Sequence, residues 1–472
     1  MDDLRKQYVT LLTLLTSAFA TLLSTSMVRI ASPFIQEAFS LRYADLTWIH
    51  NAYQISYAIL LPVFGQLGDR CGRRKILLYG LGLFGVGSVL CGLSWDLLSM
   101  SLFRLVQGIG AAAIFPNALV LATGAFPSET RGKAMGIWAM GISLGSVSGP
   151  TLGGLFIELF GWRSIFFINV IFLAVSLLCI FRYVKVDSPS DGGAGAFDYR
   201  GTLILAVMIV SLVTAMVNGP DVGWTNFGVM ALVGVMLLSL PVFFKVERNH
   251  DNPLIEPGLF KNRVFLTGVL CGGVHLVAIQ GTNFLMPLFL SQVHGMHALS
   301  IGLLMLPQAA IRFVVSPLAG SIADRFGNRL PVTVGLLIRT AAMVSLGLLT
   351  AQSTALRIGL ALVLDGAGAA LVWAPSLNAS LESCPEEMAG SAAGVFNMMR
   401  FVMGVIGTVV VGVVLDMFFT VIPETGPVPG FLHAYLVLGF LTAIGLTRVK
   451  YLQPPGEEEP IPCESQGARS TA

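Results

Sequence analysis

Asp365 is the only acidic residue that the sequence places deep within a long apolar segment. Removing a carboxyl group from water favours its neutral form, so such an aspartate could bind and release a proton. Arg339 falls at a similar depth in the preceding apolar segment, and an ion pair with it would keep the carboxylate charged instead. The sequence leaves both alternatives open. Asp365 is therefore the first candidate for a residue that couples proton movement to another process.

Other ionisable residues also fall inside apolar segments, where a costly buried charge indicates function by default. His275 is a second candidate for proton coupling, because imidazole titrates near physiological pH. A hydrogen-bonded packing role is the alternative for this histidine. Five arginines share the placement: Arg29, Arg104, Arg312, Arg339 and Arg400. Arg29 falls near one end of its segment, from which its side chain could also reach the membrane surface.

The apolar segments dominate the chain. Its 472 residues are 55% hydrophobic and only 11% charged, whereas soluble domains carry about 25% charged residues. Runs of about 20 apolar residues can span a bilayer, and they follow one another almost from end to end. We expect the first run to be a helix, because it has spanning length and no clear signal-peptide cleavage site. The runs predict an all-α polytopic membrane protein with fourteen transmembrane helices, at 8–32, 47–67, 76–94, 99–122, 133–157, 162–183, 201–218, 225–246, 264–288, 299–321, 331–350, 355–378, 388–415 and 431–449.

The basic residues predict the orientation. An even number of helices puts both ends of the chain on one side of the membrane. That side carries 20 lysines and arginines outside the helices, whereas the opposite side carries three, at Arg42, Arg163 and Arg357. Because positive charge is enriched in cytoplasmic loops, we expect both termini to be cytoplasmic and the chain to lie in a bacterial-type inner membrane.

Several classes of chemistry find no support. His294 and His297 have the spacing of a metal-binding pair, but they fall in a predicted outer loop, where simple solvation is the favoured interpretation. The sequence contains no nucleophile–base pair, metal cluster or Walker motif. We therefore expect neither an enzyme nor an ATPase, and no metal, cofactor or nucleic-acid partner.

The chain is internally duplicated. A loop motif, Gly65-Gln-Leu-Gly-Asp69-Arg70-Cys-Gly72-Arg73-Arg74, recurs 255 residues later as Gly320-Ser-Ile-Ala-Asp324-Arg325-Phe-Gly327-Asn328-Arg329. A further match, at an offset of 258, aligns Gln107 with Asp365. Predicted helices 1–6 thus correspond to helices 9–14, and helices 7 and 8 are an insertion. The predicted domains are a first six-helix bundle at 1–185, the inserted helices with their loops at 186–263, a second bundle at 264–450 and a disordered tail at 451–472.

Two parallel six-helix halves are one known plan of secondary transporters, with the substrate site near the bilayer midplane between the halves. We therefore expect a cavity there, mostly apolar and suited to amphiphilic compounds. The polar candidates for its lining are Ser24, Ser26, Arg29, Gln107, Asn117, Gln280, Asn283, Arg312 and Asn378.

The motifs resemble those of the major facilitator superfamily, over nearly the whole chain. The first loop motif is similar to that superfamily's signature between helices 2 and 3, and Arg104-x-x-Gln107-Gly108-x-Gly110 is similar to its fourth-helix motif. Gly145-x-x-x-Gly149-Pro150-x-x-Gly153-Gly154 is similar to the fifth-helix motif of its proton-coupled exporters. With fourteen helices and Trp162-Arg163-x-x-Phe-Phe-x-Asn169, the chain resembles the fourteen-helix drug:proton antiporter family.

The resemblance implies roles for three groups of residues. It implies a conformational latch in the loops, carried by Gly65, Asp69, Arg70, Gly72, Arg73, Arg74, Asp324, Arg325 and Gly327; plain cytoplasmic anchoring is the alternative. It implies a seal against proton leakage in helix 5, carried by Gly141, Gly145, Gly149, Pro150, Gly153 and Gly154; ordinary tight packing is the alternative. For Arg104 it implies a proton-relay or cavity-organising role, and a structural arginine is the alternative.

One departure from the family pattern concerns helix 1. The family usually carries an aspartate and an asparagine where this chain has Ser24 and Arg29. A coupling or cation-binding role for a helix-1 carboxylate is thereby lost. We expect a weaker preference for multivalent cations, and we expect neutral, zwitterionic or anionic amphiphiles to be accepted more readily.

The sequence therefore predicts a monomeric secondary transporter in the lipid bilayer. It would work by alternating access and would most readily be a proton-coupled exporter of amphiphilic small molecules or drugs, with the proton gradient as its energy source. The alternative is a uniporter or a proton symporter of a small metabolite on the same fold.

Overall fold

A computed structural model describes residues 2–127, 131–184, 198–248, 257–384, 389–421 and 428–452. Within these ranges the chain forms no strand, and its regular structure is helical. The helices are α1 (Asp2–Phe39), α2 (Tyr43–Cys71), α3 (Arg73–Gly92), α4 (Leu97–Gly124), α5 (Arg131–Phe160), α6 (Ser164–Tyr183), α7 (Tyr199–Val222), α8 (Phe227–Arg248), α9 (Arg263–Gln292), α10 (Ala298–Phe326), α11 (Arg329–Gly347), α12 (Ala355–Glu382), α13 (Ala389–Val421) and α14 (Val428–Arg448). Two short 3-10 helices precede α9 and follow α14.

The fourteen predicted helices are confirmed. Thirteen of the described helices are long and apolar enough to cross a membrane. The remaining one, α2, is 29 residues long and carries several polar side chains in its first half. Helices are the expected solution, because in lipid every backbone polar group must be satisfied within the segment.

The helix ends differ from the prediction, since an apolar run measures the membrane interior and not the end of the helix. α1 covers Asp2–Phe39 where 8–32 was predicted, and α13 continues to Val421 where an end at 415 was predicted. Asp416 therefore lies inside α13, and its side chain is buried. Asp416 is thus a buried acid near the end of a helix, at a position that the predicted helix bounds had left outside the membrane. At the other boundary, Leu452 is buried, so ordered structure extends past the predicted start of the tail.

The two ends of the bundle differ. We call the end that holds Gly65–Arg74 the motif end, and the end that holds Phe39 and Tyr43 the far end. Both copies of the loop turn at a glycine with positive φ, +92° at Gly72 and +78° at Gly327. Residues with a side chain rarely adopt a positive φ, which explains why both copies keep glycine at that position.

Helices α1–α6 pack as one bundle and α9–α14 as another. The two halves meet mainly where α5 packs on α10 and where α2 packs on α13, with α1 against α9 at the centre. Helix α7 packs beside α2 and α13, and α8 packs on α7 with only 11% of its apolar span buried. The inserted pair therefore lies at the periphery of the bundle, and most of the surface of α8 is exposed.

Apolar packing joins the halves at the far end. One continuous cluster there includes Met27 and Ile157 from the first half and Leu285, Ile301 and Met305 from the second. Toward the motif end one apolar cluster lies within the first half and another within the second, while a further cluster joins Ile55 and Ile59 of α2 to Val395 and Phe396 of α13 beside α7. The halves are thus held together by apolar packing at the far end and also along the side where α2 meets α13.

Candidate functional site

A small polar cavity lies between the halves at the centre of the molecule. It has a volume of about 10 Å³, which is room for about one water molecule. Its lining comes from α1, α2 and α4 of the first half and from α9 and α13 of the second: Thr25, Arg29, His50, Gln54, Arg104, Gln280, Asn283, Phe284 and Thr408. Of the predicted lining residues, Arg29, Gln280 and Asn283 are at this cavity.

A chain of hydrogen bonds crosses the cavity from one half to the other. Arg29 Nη2 donates to Gln280 Oε1 over 2.9 Å, and Gln280 Nε2 donates to Gln54 Oε1. His50 Nε2 lies 2.8 Å from Ser32 Oγ. Arg29 thus points into the interface between the halves, and the expectation that it could reach the membrane surface was wrong. The sequence interpretation did not single out His50 or Gln54.

Arg104 belongs to a buried network within the first half. Its Nε donates to the Ile49 carbonyl oxygen over 3.0 Å, and Nη1 donates to Gln107 Oε1. The guanidinium carbon lies 4.3 Å from the centre of the Tyr53 ring, a distance typical of a cation–π contact. Arg104 therefore ties α4 to α2 while its charge stays beside the cavity.

Gln107 and Ser24 continue this network into α1, α3 and α6. Gln107 Nε2 donates to Ser88 Oγ over 2.7 Å and to Ser24 Oγ over 3.4 Å. Asn169 Nδ2 also donates to Ser24 Oγ, over 2.9 Å. The serine at the position of the family's helix-1 acid is thus a buried acceptor within one half.

A second network lies in the other half, around Asp365. Arg339 Nη2 lies 3.2 Å from Asp365 Oδ1, and both side chains are buried. Gln308 Nε2 donates to Asp365 Oδ2 over 2.6 Å, and Arg339 Nη1 lies 3.1 Å from His275 Nδ1. The ion pair that the sequence left as an alternative is present. Two of the proton-coupling candidates, Asp365 and His275, share one network on α9–α12, and Arg104 lies apart from them.

Other candidates from the sequence lie away from the cavity. Asn117 is buried against α2, where its Nδ2 donates to the Phe64 carbonyl oxygen over 3.0 Å. Ser26 packs against α5 at Gly149. Asn378 is exposed on α12, and Arg312 on α10 donates from Nε to the Gln308 carbonyl oxygen over 3.3 Å.

The glycines of α5 pack against two different helices. A Cβ at Gly141, Gly145, Gly149 or Gly153 would meet side chains or backbone of α1 in the same half. A Cβ at Gly154 would instead lie 2.5 Å from the carbonyl oxygen of Ala298 at the start of α10. Gly302 of α10 packs in turn on the backbone of Pro150. The predicted motif thus provides close contact both within one half and between the halves.

The far end carries a contact between the halves that the sequence interpretation missed. Asp416 at the end of α13 accepts hydrogen bonds from the backbone N–H groups of Tyr43 and Ala44, at 2.8 and 2.7 Å. It thereby caps the first turn of α2 from the opposite half. The Tyr43 hydroxyl donates to Gln292 Oε1 over 2.5 Å, and Gln292 Nε2 donates to Gln36 Oε1 over 2.9 Å.

The loop motifs lie at the motif end. Arg74 places its guanidinium carbon 5.6 Å from the centre of the Phe181 ring on α6. The guanidinium carbon of Arg325 likewise lies 5.2 Å from the centre of the Phe326 ring. Asp324 is exposed, and the Asp69 side chain lies outside the described side chains.

Comparison with known proteins agrees with this architecture. The model of the Major Facilitator Superfamily matches residues 14–408. The multidrug resistance protein Stp of Mycobacterium tuberculosis is 32% identical over 412 residues, which cover 87% of this chain and 76% of that protein. The tetracenomycin C resistance and export protein of Streptomyces glaucescens is 30% identical, over 87% of this chain and 76% of that protein. The riboflavin transporter RibZ of Clostridioides difficile is 28% identical, over 86% and 87%.

A crystal structure of a bacterial homologue of the human lysosomal transporter Spinster, in an inward-facing and unoccupied conformation, has the same fold. It matches 95% of each chain with a TM-score of 0.66 at 17% identity. The family model and the relatives extend over most of the chain, and this likeness supports the same architecture. The chain is therefore a multi-pass membrane protein that belongs to the Major Facilitator Superfamily.

Proposed function

We propose that this protein is a proton-coupled exporter of amphiphilic small molecules in the bacterial inner membrane, with both termini in the cytoplasm. The observation that carries the proposal is the polar cavity between two repeated halves, bridged by hydrogen bonds from Arg29 through Gln280 to Gln54. Two relatives are named for multidrug resistance and for the export of tetracenomycin C. Their names support export as the direction of transport.

Alternating access requires the halves to separate at one end while they meet at the other. The far-end contacts of Asp416 and Gln292, together with the apolar cluster that joins the halves there, support a far-end-closed state. The excess of basic residues at the motif end supports its cytoplasmic placement. The described arrangement then corresponds to the inward-facing stage of the cycle, and the loop motifs at the cytoplasmic end would act as latches in the opposite stage.

We assign proton coupling to Asp365 and its partners. Protonation of Asp365 would remove the charge that holds Arg339 and would leave that guanidinium to His275. Gln308, which donates to Asp365, is on α10, and Gly302 on the same helix packs on Pro150 of the other half. A change at the carboxyl group could therefore reach the contact between α5 and α10. Arg104 would organise the cavity through its bonds to α2 and α4.

Purified protein in liposomes that contain a pH-sensitive dye tests the assignment. We expect addition of a transported amphiphile to drive proton flux in the wild-type protein, and we expect Asp365→Asn to abolish that flux while substrate binding persists. Full substrate-driven flux in Asp365→Asn liposomes would show that Asp365 is not the coupling acid.

Asp96→Asn is the matched control. It also neutralises one carboxylate, but Asp96 caps α4 at the far end of the first half, where its Oδ1 accepts from the Ser99 N–H over 2.8 Å. We expect this variant to retain coupled flux. The double variant Asp365→Asn/Arg339→Gln separates loss of coupling from loss of folding, because it removes the arginine that the single change leaves without its anion.

A second candidate function is uptake of a small metabolite on the same fold. One relative is named as a riboflavin transporter, and this name supports uptake as the second candidate. Uptake and export predict opposite directions of substrate movement under one imposed proton gradient, so a transport assay in oriented vesicles distinguishes the two.

A further inference from the structure

We infer that the central cavity binds the anionic group of the substrate, and that Arg29 and Asn283 make the direct contacts. This inference rests on the proposed transport function and specifies the chemistry of the substrate. The class of ligand is an amphiphile with a carboxylate, sulfonate or similar negatively charged group.

The first observation is an excess of positive charge. Arg29, Arg104 and His50 all line the cavity. Among the described residues, no acidic side chain lines the cavity, and neither arginine makes an ion pair. A buried charge is costly unless an opposite charge or several hydrogen bonds offset it. The positive charge at the site therefore has no counter-ion among the described side chains, and a bound anion would supply one.

The second observation is unused hydrogen-bonding capacity. Within the described part of the chain, the Arg29 guanidinium makes one hydrogen bond, to the neutral amide of Gln280. Asn283 is 3% exposed, and its Nδ2 has no hydrogen-bond partner among the described atoms. An unpaired buried donor costs free energy. Both donors line the same cavity, so one anionic group could accept from the guanidinium and from the amide together.

The two arginines differ in availability. Arg104 is already held by the Ile49 carbonyl, by Gln107 and by the face of Tyr53. It contributes positive potential from a fixed position. Arg29 has N–H groups to spare, and its single bond crosses the interface between the halves. An anion that draws Arg29 away from Gln280 would also weaken a link between the halves, so binding and separation of the halves would be connected.

The residues that line the cavity also indicate the chemistry of the uncharged part of the ligand. Phe284 and Thr408 lie beside the polar groups, and the continuous apolar cluster between the halves begins there. An aromatic or aliphatic body would pack against these side chains once the halves move apart and widen the cavity beyond its present water-sized volume. The pairing of a donor-rich centre with apolar walls fits an anionic amphiphile and disfavours a hydrophilic inorganic anion.

The test is equilibrium binding to the full-length protein in lipid nanodiscs, in chloride-free buffer. The probes are naphthalene-2-sulfonate and naphthalene-2-sulfonamide, which share an aromatic body and differ in charge. Because charge-assisted hydrogen bonds are about twice as strong as neutral ones, we expect the sulfonate to bind at least about 10-fold more tightly. Arg29→Gln should remove this preference, and Arg29→Lys should keep most of it.

Arg357→Gln is the matched control, because Arg357 is exposed at the start of α12 and should leave the preference unchanged. Equal affinity for the two probes in the wild-type protein, or an unchanged preference in Arg29→Gln, would overturn the inference. The inference would also be overturned if chloride displaced the sulfonate at chloride concentrations close to the dissociation constant of the sulfonate. The site would then prefer no amphiphile and would bind inorganic anions equally well. A failure of the proposed function is distinguishable, because sulfonate binding would persist while no proton-dependent transport occurs.

Discussion

Asp416 offers the sharpest prediction about how the two halves are held together. Its carboxylate accepts two backbone N–H groups of α2, at 2.8 and 2.7 Å, from the opposite half of the molecule. We expect Asp416→Ala to weaken the closed far end specifically, because the contact cannot exist when the halves separate there.

The magnitude follows from the bonds that are lost. Hydrogen bonds to a charged group contribute about 1.5–3 kcal/mol each, and replacing a helix-capping side chain by alanine costs about 0.5–2 kcal/mol. Water at the far end can take over part of the lost bonding, so we take roughly 2–3 kcal/mol for the pair. That free energy raises the ratio of far-end-open to far-end-closed molecules by roughly 30- to 150-fold.

The assay is a pulsed electron paramagnetic resonance measurement of the distance between two spin labels. Labels at Trp95→Cys and Leu356→Cys, on exposed far-end positions of the two halves, in a background without the native cysteines, report the separation. Asp416→Ala should add a population at longer distance. Asn262→Ala removes a cap that accepts two backbone N–H groups of α9 within the second half, away from both labels, so it should lower thermal stability and leave the distance unchanged. An unchanged distance distribution in folded Asp416→Ala protein would refute the reasoning.

The remaining predictions concern close packing and the buried ion pair. Gly154→Ala places a methyl group 2.5 Å from the Ala298 carbonyl oxygen, so the same labels should report a larger far-end-open fraction, whereas Gly359→Ala, where a Cβ meets open space, should change nothing. Arg339→Gln leaves the buried Asp365 carboxylate without its cation and should cost about 3–5 kcal/mol of unfolding free energy. Adding Asp365→Asn should recover much of that loss in chemical denaturation, and strictly additive losses would contradict the pairing.

The helices were predictable from sequence because bilayer thickness imposes a minimum apolar length that is visible locally. The duplicated loop was predictable as well, because Gly72 and Gly327 are required by a backbone conformation that few other residues adopt. Both signals are contained in short stretches of the chain. They determine the number and pairing of the helices without any knowledge of long-range contacts.

The site was only partly predictable. Asp365 and Arg339 stood at similar depth on neighbouring helices, so their pairing was one of two stated alternatives, and only geometry distinguishes them. The capping of α2 by Asp416 joins residues 373 positions apart through backbone N–H groups, and no side-chain pattern reports such a contact. His50 and Gln54 did leave a signal, as polar residues within a predicted membrane helix, that would have placed α2 at the cavity.

Transport by inside-out membrane vesicles tests the central claim most directly. Vesicles with the chain in its proposed orientation are energised so that their interior becomes acidic, and accumulation of anionic, zwitterionic and neutral fluorescent amphiphiles is followed. Proton-coupled export predicts uphill accumulation of at least one amphiphile inside the vesicles, abolished by a protonophore and by Asp365→Asn but not by Asp96→Asn. Loss of substrate from preloaded vesicles when their interior becomes acidic, or movement that only equalises concentrations, would contradict the account.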